Sequence, residues 1–445
     1  MSPFIFKLPR ELWSMIVDQL SYIGLIRFSG TCKLCREKLA PKIFHTIRFK
    51  NSKRVAESAL AAAKRFGAHT RCLKFVYYAE PEELNSLGEL PLLTAPVLLP
   101  ASRELLAGHE FQNLQTITFV FEFRLSRQDD NILDRRPDLF SNVEHIVETV
   151  DAEERHQWRA LLNETYSAIS ENMTITGIVI QDLIPINVSA FYSRNFRQLL
   201  GRLTSAQIKL CWPSGYGRLD DVSLLLGYRE FVTKMPVTFF CHMNQLQELD
   251  LYVDGVPLEA GPATALALAL VPKSLPALRS LKLTNFFICT NLLHFIKSKK
   301  STLSRILLED CVSDCDRITQ PDSRTETWAR FFTELRKLRL PLLVQFSVNY
   351  SIEGQILLDV YDLYDWADTD DTTDADDLME LIRTTPGRRL FSYGSLCRNG
   401  NLVVDRVVNR RHAWLSKDSH AYRRLQRSIR NNVARLACET LRSPS

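Results

Sequence analysis

Apolar residues in the first fifty positions fall into two stripes at helical spacing. Leu12, Trp13, Ile16, Val17 and Leu20 recur at intervals that place one apolar side along about three turns of helix. Pro9 suits the first turn, where a missing N–H costs nothing, and Glu11 puts negative charge near the positive end of the helix dipole. A helix therefore starts at Leu8–Pro9, and Ser21 to Gly24 reads as its break. The second stripe comprises Leu25, Phe28, Cys32, Cys35 and Leu39, with Arg27, Lys33, Arg36 and Lys38 on other faces and Pro41 as the expected stop. Phe44, Ile47 and Phe49 then alternate as at the start of a strand. So short a unit cannot bury both stripes within itself, so part of this apolar surface must face a neighbour or a partner.

Beyond residue 50 a phrase of the form LxxLxL recurs, its last two apolar positions alternating as in a short strand. Leu246–Leu249–Leu251, Leu278–Leu281–Leu283 and Leu303–Ile306–Leu308 are the clear copies, at steps of 32 and 25 residues. Leu114–Ile117–Phe119 and Leu343–Phe346–Val348 are looser, and Leu73–Phe75, Ile175–Ile178–Ile180 and Ile208–Leu210 read as further strands. Helical spacing marks Arg54 to Phe66, Glu153 to Ser170 and Thr325 to Leu338, with a shorter segment from Ala263 to Leu270. Leu90 to Pro100 and Pro257 to Pro276 read as loops. These periods lie near those of leucine-rich repeats, in which each unit supplies a strand and a returning helix. The expected fold class is α/β: N-terminal helices followed by an irregular leucine-rich-repeat-like solenoid. Strands alternating with helices are equally consistent with a doubly wound or mixed α/β domain. On a solenoid, the residues beside the strands would form the recognition face, here Tyr252, Asp254, Asn285, Phe286, Glu309 and Asp310.

Charge divides the chain's end in two. Eleven acidic residues and no Lys or Arg lie between Glu353 and Glu380, whereas fourteen Lys or Arg face three acidic residues from Arg383 to Ser445. The whole chain carries +5, so its basic character belongs to the tail. The acidic run lacks the central Gly and closing Glu of a calcium loop, Met379 standing at the closing position, and reads as a solvated acidic loop. From about Asp418 to Arg442, Tyr422, Leu425, Ile429, Val433 and Leu436 share one side of a helix that carries Arg423, Arg424, Arg427, Arg430 and Arg435 elsewhere. That helix suits the capping of a solenoid's open end.

No stretch reaches the roughly 20 apolar residues of a membrane span, the longest uncharged run being Leu283 to Ile296. With no signal-peptide core after Phe6, the expected location is intracellular, cytoplasm or nucleus, with the ten cysteines reduced. Cys32 with Cys35, and Cys311 with Cys315, could supply zinc ligands, but the first pair is expected within a helix on its buried side and no nearby His completes a tetrahedral set. No phosphate loop, nucleophile elbow or HExxH occurs. The chain is therefore expected to need no cofactor and to hold no active site.

Leu8–Pro9, Glu11–Leu12, Ile16, Leu20, Leu25, Cys32–Lys33, Arg36, Pro41 and Phe44 stand in an order and spacing that resembles the F-box family. The chain departs from that family's pattern at Cys35, where an aromatic residue, most often Trp, is usual, and at Gly24, where an acidic residue is common. The resemblance implies a non-catalytic subunit of a cullin–RING (SCF-type) ubiquitin ligase, docked on a Skp-type adaptor and, through it, on cullin and RING subunits, while the rest of the chain holds a protein substrate. It implies adaptor contacts at Leu8, Pro9, Leu12, Ile16, Leu20, Leu25 and Cys32, with Glu11 and Arg36 at the rim. The expected organisation is an adaptor-binding module at 1–50, a repeat domain at 51–352, an acidic loop at 353–380 and a basic capping segment at 381–445. A second reading is a nucleic-acid- or chromatin-associated scaffold that uses the basic tail. On the first reading neither nucleic acid nor a membrane is a partner.

Overall fold

The computed structural model describes residues 8–79, 92–123, 143–211, 226–253, 269–314, 327–351, 380, 383–385, 388–396, 402–404 and 406–442. The acidic run before Glu380, the segment 263–268, Asp254 and Cys315 lie outside these described residues.

Three helices open the chain: α1 (Arg10–Asp18), α2 (Tyr22–Ser29) and α3 (Lys33–Ile43). The expected second helix is thus two. Ser21 begins α2 rather than breaking the chain, its hydroxyl accepting the Gly24 N–H at 3.2 Å. Gly30 closes α2, and Cys32, in extended backbone, caps α3 rather than lying inside a helix. Pro41 does not stop α3, which continues to Ile43. So near the C-terminal end, a proline forfeits one backbone hydrogen bond without disturbing a long helix.

Nine parallel strands follow in one sheet whose order is that of the chain. They are β1 (Thr46–Lys50), β2 (Cys72–Ala79), β3 (Thr116–Phe123), β4 (Gly177–Leu183), β5 (Ser205–Leu210), β6 (Glu248–Val253), β7 (Ser280–Thr284), β9 (Arg305–Glu309) and β11 (Gln345–Asn349). The intervening β8 (Phe287–Ile288) and β10 (Val312–Asp314) join β12 (Tyr393–Leu396) and β13 (Leu402–Val404) in a second sheet ordered β13-β12-β10-β8. The large sheet ends at β1 and β11 and forms no closed barrel.

Register explains the recurring phrase. Leu249, Leu281, Ile306 and Phe346 pair across successive strands, as do Leu251, Leu283, Leu308 and Val348, and the columns run back to Ile47 and Phe49 in β1. Because strand side chains alternate, these columns share one face, which is buried. Helices α4 (Lys53–Phe66), α5 (Pro100–Ala107), Gln157–Ser170, Arg194–Arg202, Thr290–Ser298 and Trp328–Lys337 lie between the strands and join them in one continuous core.

Two expectations need amendment. The helix expected over Glu153 to Ser170 is broken at His156, whose backbone is extended, into Ile146–Arg155 and Gln157–Ser170. Across the break, the Glu153 carboxylate accepts the Ser189 N–H at 2.7 Å and its hydroxyl at 2.6 Å. Pro100 ends no loop but starts α5, which closes at Gly108 with φ 81°.

The chain's last helix, Lys417–Arg442, buries Tyr422, Leu425 and Ile429 in the same core, while Val433 stays exposed. Gln426 donates to the Phe346 carbonyl at 2.8 Å and Arg389 to that of Val348 at 3.1 Å. Side chains thus occupy carbonyls of β11, the edge strand of the large sheet, where another strand could otherwise add. Beneath them the Asp418 carboxylate accepts from the Tyr393 hydroxyl and from the Ala329 N–H, each at 2.8 Å. No helix among the described residues is long and apolar enough to cross a membrane.

Candidate functional site

The three N-terminal helices enclose a small core of their own, Val17, Leu25, Leu39 and Ile43, flanked by Trp13, Leu20, Phe28 and Phe44. Trp13 and Phe28 lie 5.7 Å apart, and Lys38 sits over the Trp13 ring at 5.4 Å. Lys42 clasps the end of α1, donating to the Val17 carbonyl at 3.1 Å and to the Asp18 carboxylate at 2.6 Å. That hydrogen bond and the lysine's charge hold the Asp18 carboxyl below the usual carboxylate range. Phe44 stacks on Phe66 at 4.1 Å, which joins the helical unit to α4.

The single stripe read along α1 has two sides. Trp13 and Val17, with Leu20 just past the helix end, face the small core, whereas Leu12, Met15 and Ile16 stand exposed. Helix α2 repeats the division, Leu25 and Phe28 turning inward and Tyr22, Ile23 and Ile26 outward. With Leu34 near the start of α3, these seven apolar residues are between 38% (Leu34) and 64% (Met15) exposed. Apolar surface left exposed on consecutive helices is a general feature of protein association sites.

The expected adaptor contacts are placed unevenly relative to this surface. Leu12 and Ile16 belong to it. Leu8 is half-buried, Pro9 exposed at the N-cap of α1, Glu11 exposed in its first turn and Arg36 exposed on α3. Leu20 packs on the small core and is half-buried, and Leu25 is buried within it. Cys32 is half-buried, its sulfur accepting the Cys35 N–H at 3.3 Å. Met15, Tyr22, Ile23, Ile26 and Leu34 also belong to this exposed surface, outside the pattern of expected contacts. Their signal was an excess of apolar residues on helices too short to bury more than one face.

The other face of the large sheet carries paired charges. Lys282 lies 2.8 Å from Glu309 and 3.7 Å from Asp250, Lys209 lies 2.8 Å from Asp182, and Arg305 lies 2.6 Å from Glu248. Burial pushes the Asp250 carboxyl up against the opposing pull of Lys282, while the hydrogen bond to Glu309 raises the Lys282 ammonium. Tyr252 lies under Lys209 at 5.3 Å and joins Glu309 on this face. The other expected recognition residues that the structure describes do not. Phe286 is buried in the core. Asn285 (φ 63°) and Asp310 (φ 49°) hold left-handed corners after their strands, Asn285 donating to the Val253 carbonyl at 2.9 Å and Asp310 accepting the Ser351 N–H at 2.7 Å.

Among the described residues no group of three or more His, Cys, Asp or Glu could hold a metal ion. Cys311 is buried and its thiol is pushed up to about 12, first by burial.

No curated protein matches the chain. A family match is found at its N-terminus, where the F-box domain model covers residues 5–45, the same stretch that folds as α1 to α3 with an unburied apolar side. An F-box domain therefore stands at residues 5–45, a domain that generally binds Skp1-type adaptors and serves in non-catalytic SCF-type substrate adaptors.

Proposed function

We propose that this chain is the substrate-recognition subunit of a cullin–RING (SCF-type) ubiquitin ligase, docked through residues 5–45 on a Skp-type adaptor that carries the cullin and RING subunits. The observation that carries the reading is the exposed apolar side of α1 and α2, which the small core leaves uncovered. Leu12, Met15, Ile16, Tyr22, Ile23 and Ile26 supply the anchors, with Leu8, Pro9, Glu11, Cys32 and Arg36 around them. The subunit contributes binding rather than chemistry.

The sheet is the substrate-presenting part, read as an irregular leucine-rich-repeat-like solenoid. Its support is the strand order, which advances by one neighbour at each step without the reversal of a doubly wound sheet. Repeated left-handed corners at Asn285 and Asp310 and the register of the leucine columns support the same reading. The open face, with Tyr252 and the ion pairs about Lys282, is where a protein substrate would lie.

Leu12→Asp combined with Ile16→Asp tests the docking. The two side chains are 46% and 40% exposed, so the variant should fold as wild type while co-purification of a Skp-type adaptor is lost. Adaptor recovery at the wild-type level would overturn the assignment.

A further inference from the structure

Cys32 and Cys35 belong to the same helical unit but do different work. Cys32 is the cap of α3, an eleven-residue helix, and its sulfur accepts the Cys35 N–H at 3.3 Å. Three positions apart about the first turn of α3, the two side chains are neighbours on the helix. Behind the pair, the Thr31 hydroxyl lies 3.4 Å from the Cys35 sulfur. Cys32 is half-buried, and Cys35 is buried. The hydrogen bond from the Cys35 N–H holds the Cys32 thiol below its ordinary value, and burial pushes the Cys35 thiol up. A half-buried sulfur disposed to the thiolate, backed by a second sulfur one helical turn on, is the arrangement of a nucleophilic and a resolving cysteine.

Cys289 provides an internal contrast. It caps the helix Thr290–Ser298 in the same manner, accepting the Leu292 N–H at 3.3 Å. It is buried, however, and the residue three positions on is leucine, so no second sulfur follows it on that helix. The capping geometry is common to both helices, and the paired sulfur is particular to α3.

We infer that Cys32 and Cys35 form a reversible oxidation site, closing an intrachain disulfide when a peroxide reaches Cys32. The Cys32 thiolate attacks one peroxide oxygen. The O–O bond breaks, and the departing hydroxide takes a proton to leave as water, with Cys32 as a sulfenic acid. The Cys35 sulfur then attacks the Cys32 sulfur, giving up its proton. The S–S bond forms, the S–O bond breaks and a second water leaves. Two thiols have lost two hydrogens, and hydrogen peroxide has become two waters. A dithiol reductant reverses the step by exchange through a mixed disulfide. The ring so closed spans Lys33 and Leu34, and Leu34 is part of the exposed apolar surface. The oxidation site itself stands apart from the adaptor reading, since its chemistry needs no partner.

The test is thiol trapping on the full chain. Protein treated with graded hydrogen peroxide is quenched in acid and alkylated with N-ethylmaleimide. It is then reduced with dithiothreitol and alkylated with a heavy form of the same reagent, each cysteine being read by mass spectrometry. The expected result is that Cys32 and Cys35 lose the first label together and acquire the second, at peroxide levels where the exposed Cys438 still keeps the first. With Cys35→Ser, Cys32 should persist as a sulfenic acid trapped by dimedone. With Cys32→Ser, Cys35 should keep the first label. The inference is overturned if both cysteines in the wild-type chain keep the first label up to the level that oxidises Cys438, or if Cys32 loses it while Cys35 does not. The wild-type measurement decides the matter even where a variant fails to fold.

Discussion

Leu25 and Ile26 are neighbours on one eight-residue helix, and truncating each to alanine should give opposite results. Leu25 is 4% exposed and packs against Val17, Leu39 and Ile43. Its truncation removes buried methyl groups from a core with few others, at a cost of roughly 2–5 kcal/mol to the helical unit. Ile26 is 46% exposed. Its truncation should leave stability within about 0.5 kcal/mol of wild type. Full burial of such a side chain is worth roughly 1.5–3 kcal/mol, and about half of that remains to be gained on docking. Loss of about 1 kcal/mol weakens adaptor binding by roughly fivefold. Hydrogen exchange over residues 10–43 reads the first quantity, and calorimetric titration with purified Skp-type adaptor reads the second. If Ile26→Ala loosens the helices more than Leu25→Ala does, or if Leu25→Ala weakens docking with protection unchanged, the division into inner and outer faces is wrong.

Three further outcomes follow from the body of the protein. Asp418→Ala strips the Tyr393 hydroxyl and the Ala329 N–H of their acceptor. At about 1–3 kcal/mol per buried group left unpaired, it should lower the denaturation midpoint and expose the last helix to protease. Gly108→Ala should cost at least about 1 kcal/mol in thermal unfolding, because φ is 81° and the new Cβ would fall 1.9 Å from the Asn172 amide nitrogen. Tyr166, Tyr350 and Tyr393 are raised above the ordinary tyrosine value, in each case first by burial. A group with its folded-state value raised contributes stability that is present below its unfolded value and lost as pH rises through the folded one. In an ultraviolet titration of the chain's thirteen tyrosines, these three should stay protonated above about pH 10 and ionise only with loss of the circular dichroism signal. Their ionisation while the fold persists would refute the burial argument.

The nine strands of the large sheet are legible because each is fixed by the same physical device, two apolar residues two positions apart on a single buried face. Leu281–Leu283 and Ile306–Leu308 show it in the sequence and again in the register. The second sheet was not legible. Phe287 and Ile288 form a two-residue strand inside an apolar run, and nothing local separates them from the helix that follows. Proline punctuates both loop ends and helix starts, and the sequence around Pro100 does not say which. The interruption at His156 carries no proline or glycine. It is held by Glu153 bonding to Ser189, residues 36 positions apart, a tertiary contact that no local pattern contains.

The proposed docking surface is half legible, for a related reason. Periodicity counts apolar residues along a helix but does not say which stripe meets the core. On α1 the stripe read as one contained both Val17, which is buried, and Ile16, which is not. On α2 the pattern selected Leu25 and Phe28 and passed over Tyr22, Ile23 and Ile26, because a helix with two apolar faces shows little amphipathic contrast. In a solitary globular unit, the second face would be a fault in the packing. Here it recurs on consecutive helices, while polar devices fix the helix positions: the Ser21 cap, the Lys42 clasp on Asp18 and the sulfur cap of Cys32. Helices held rigidly by their own caps and core, with apolar residues still facing out, keep the ordering cost of docking low. That combination supports a preformed surface for a partner more strongly than any one exposed residue could.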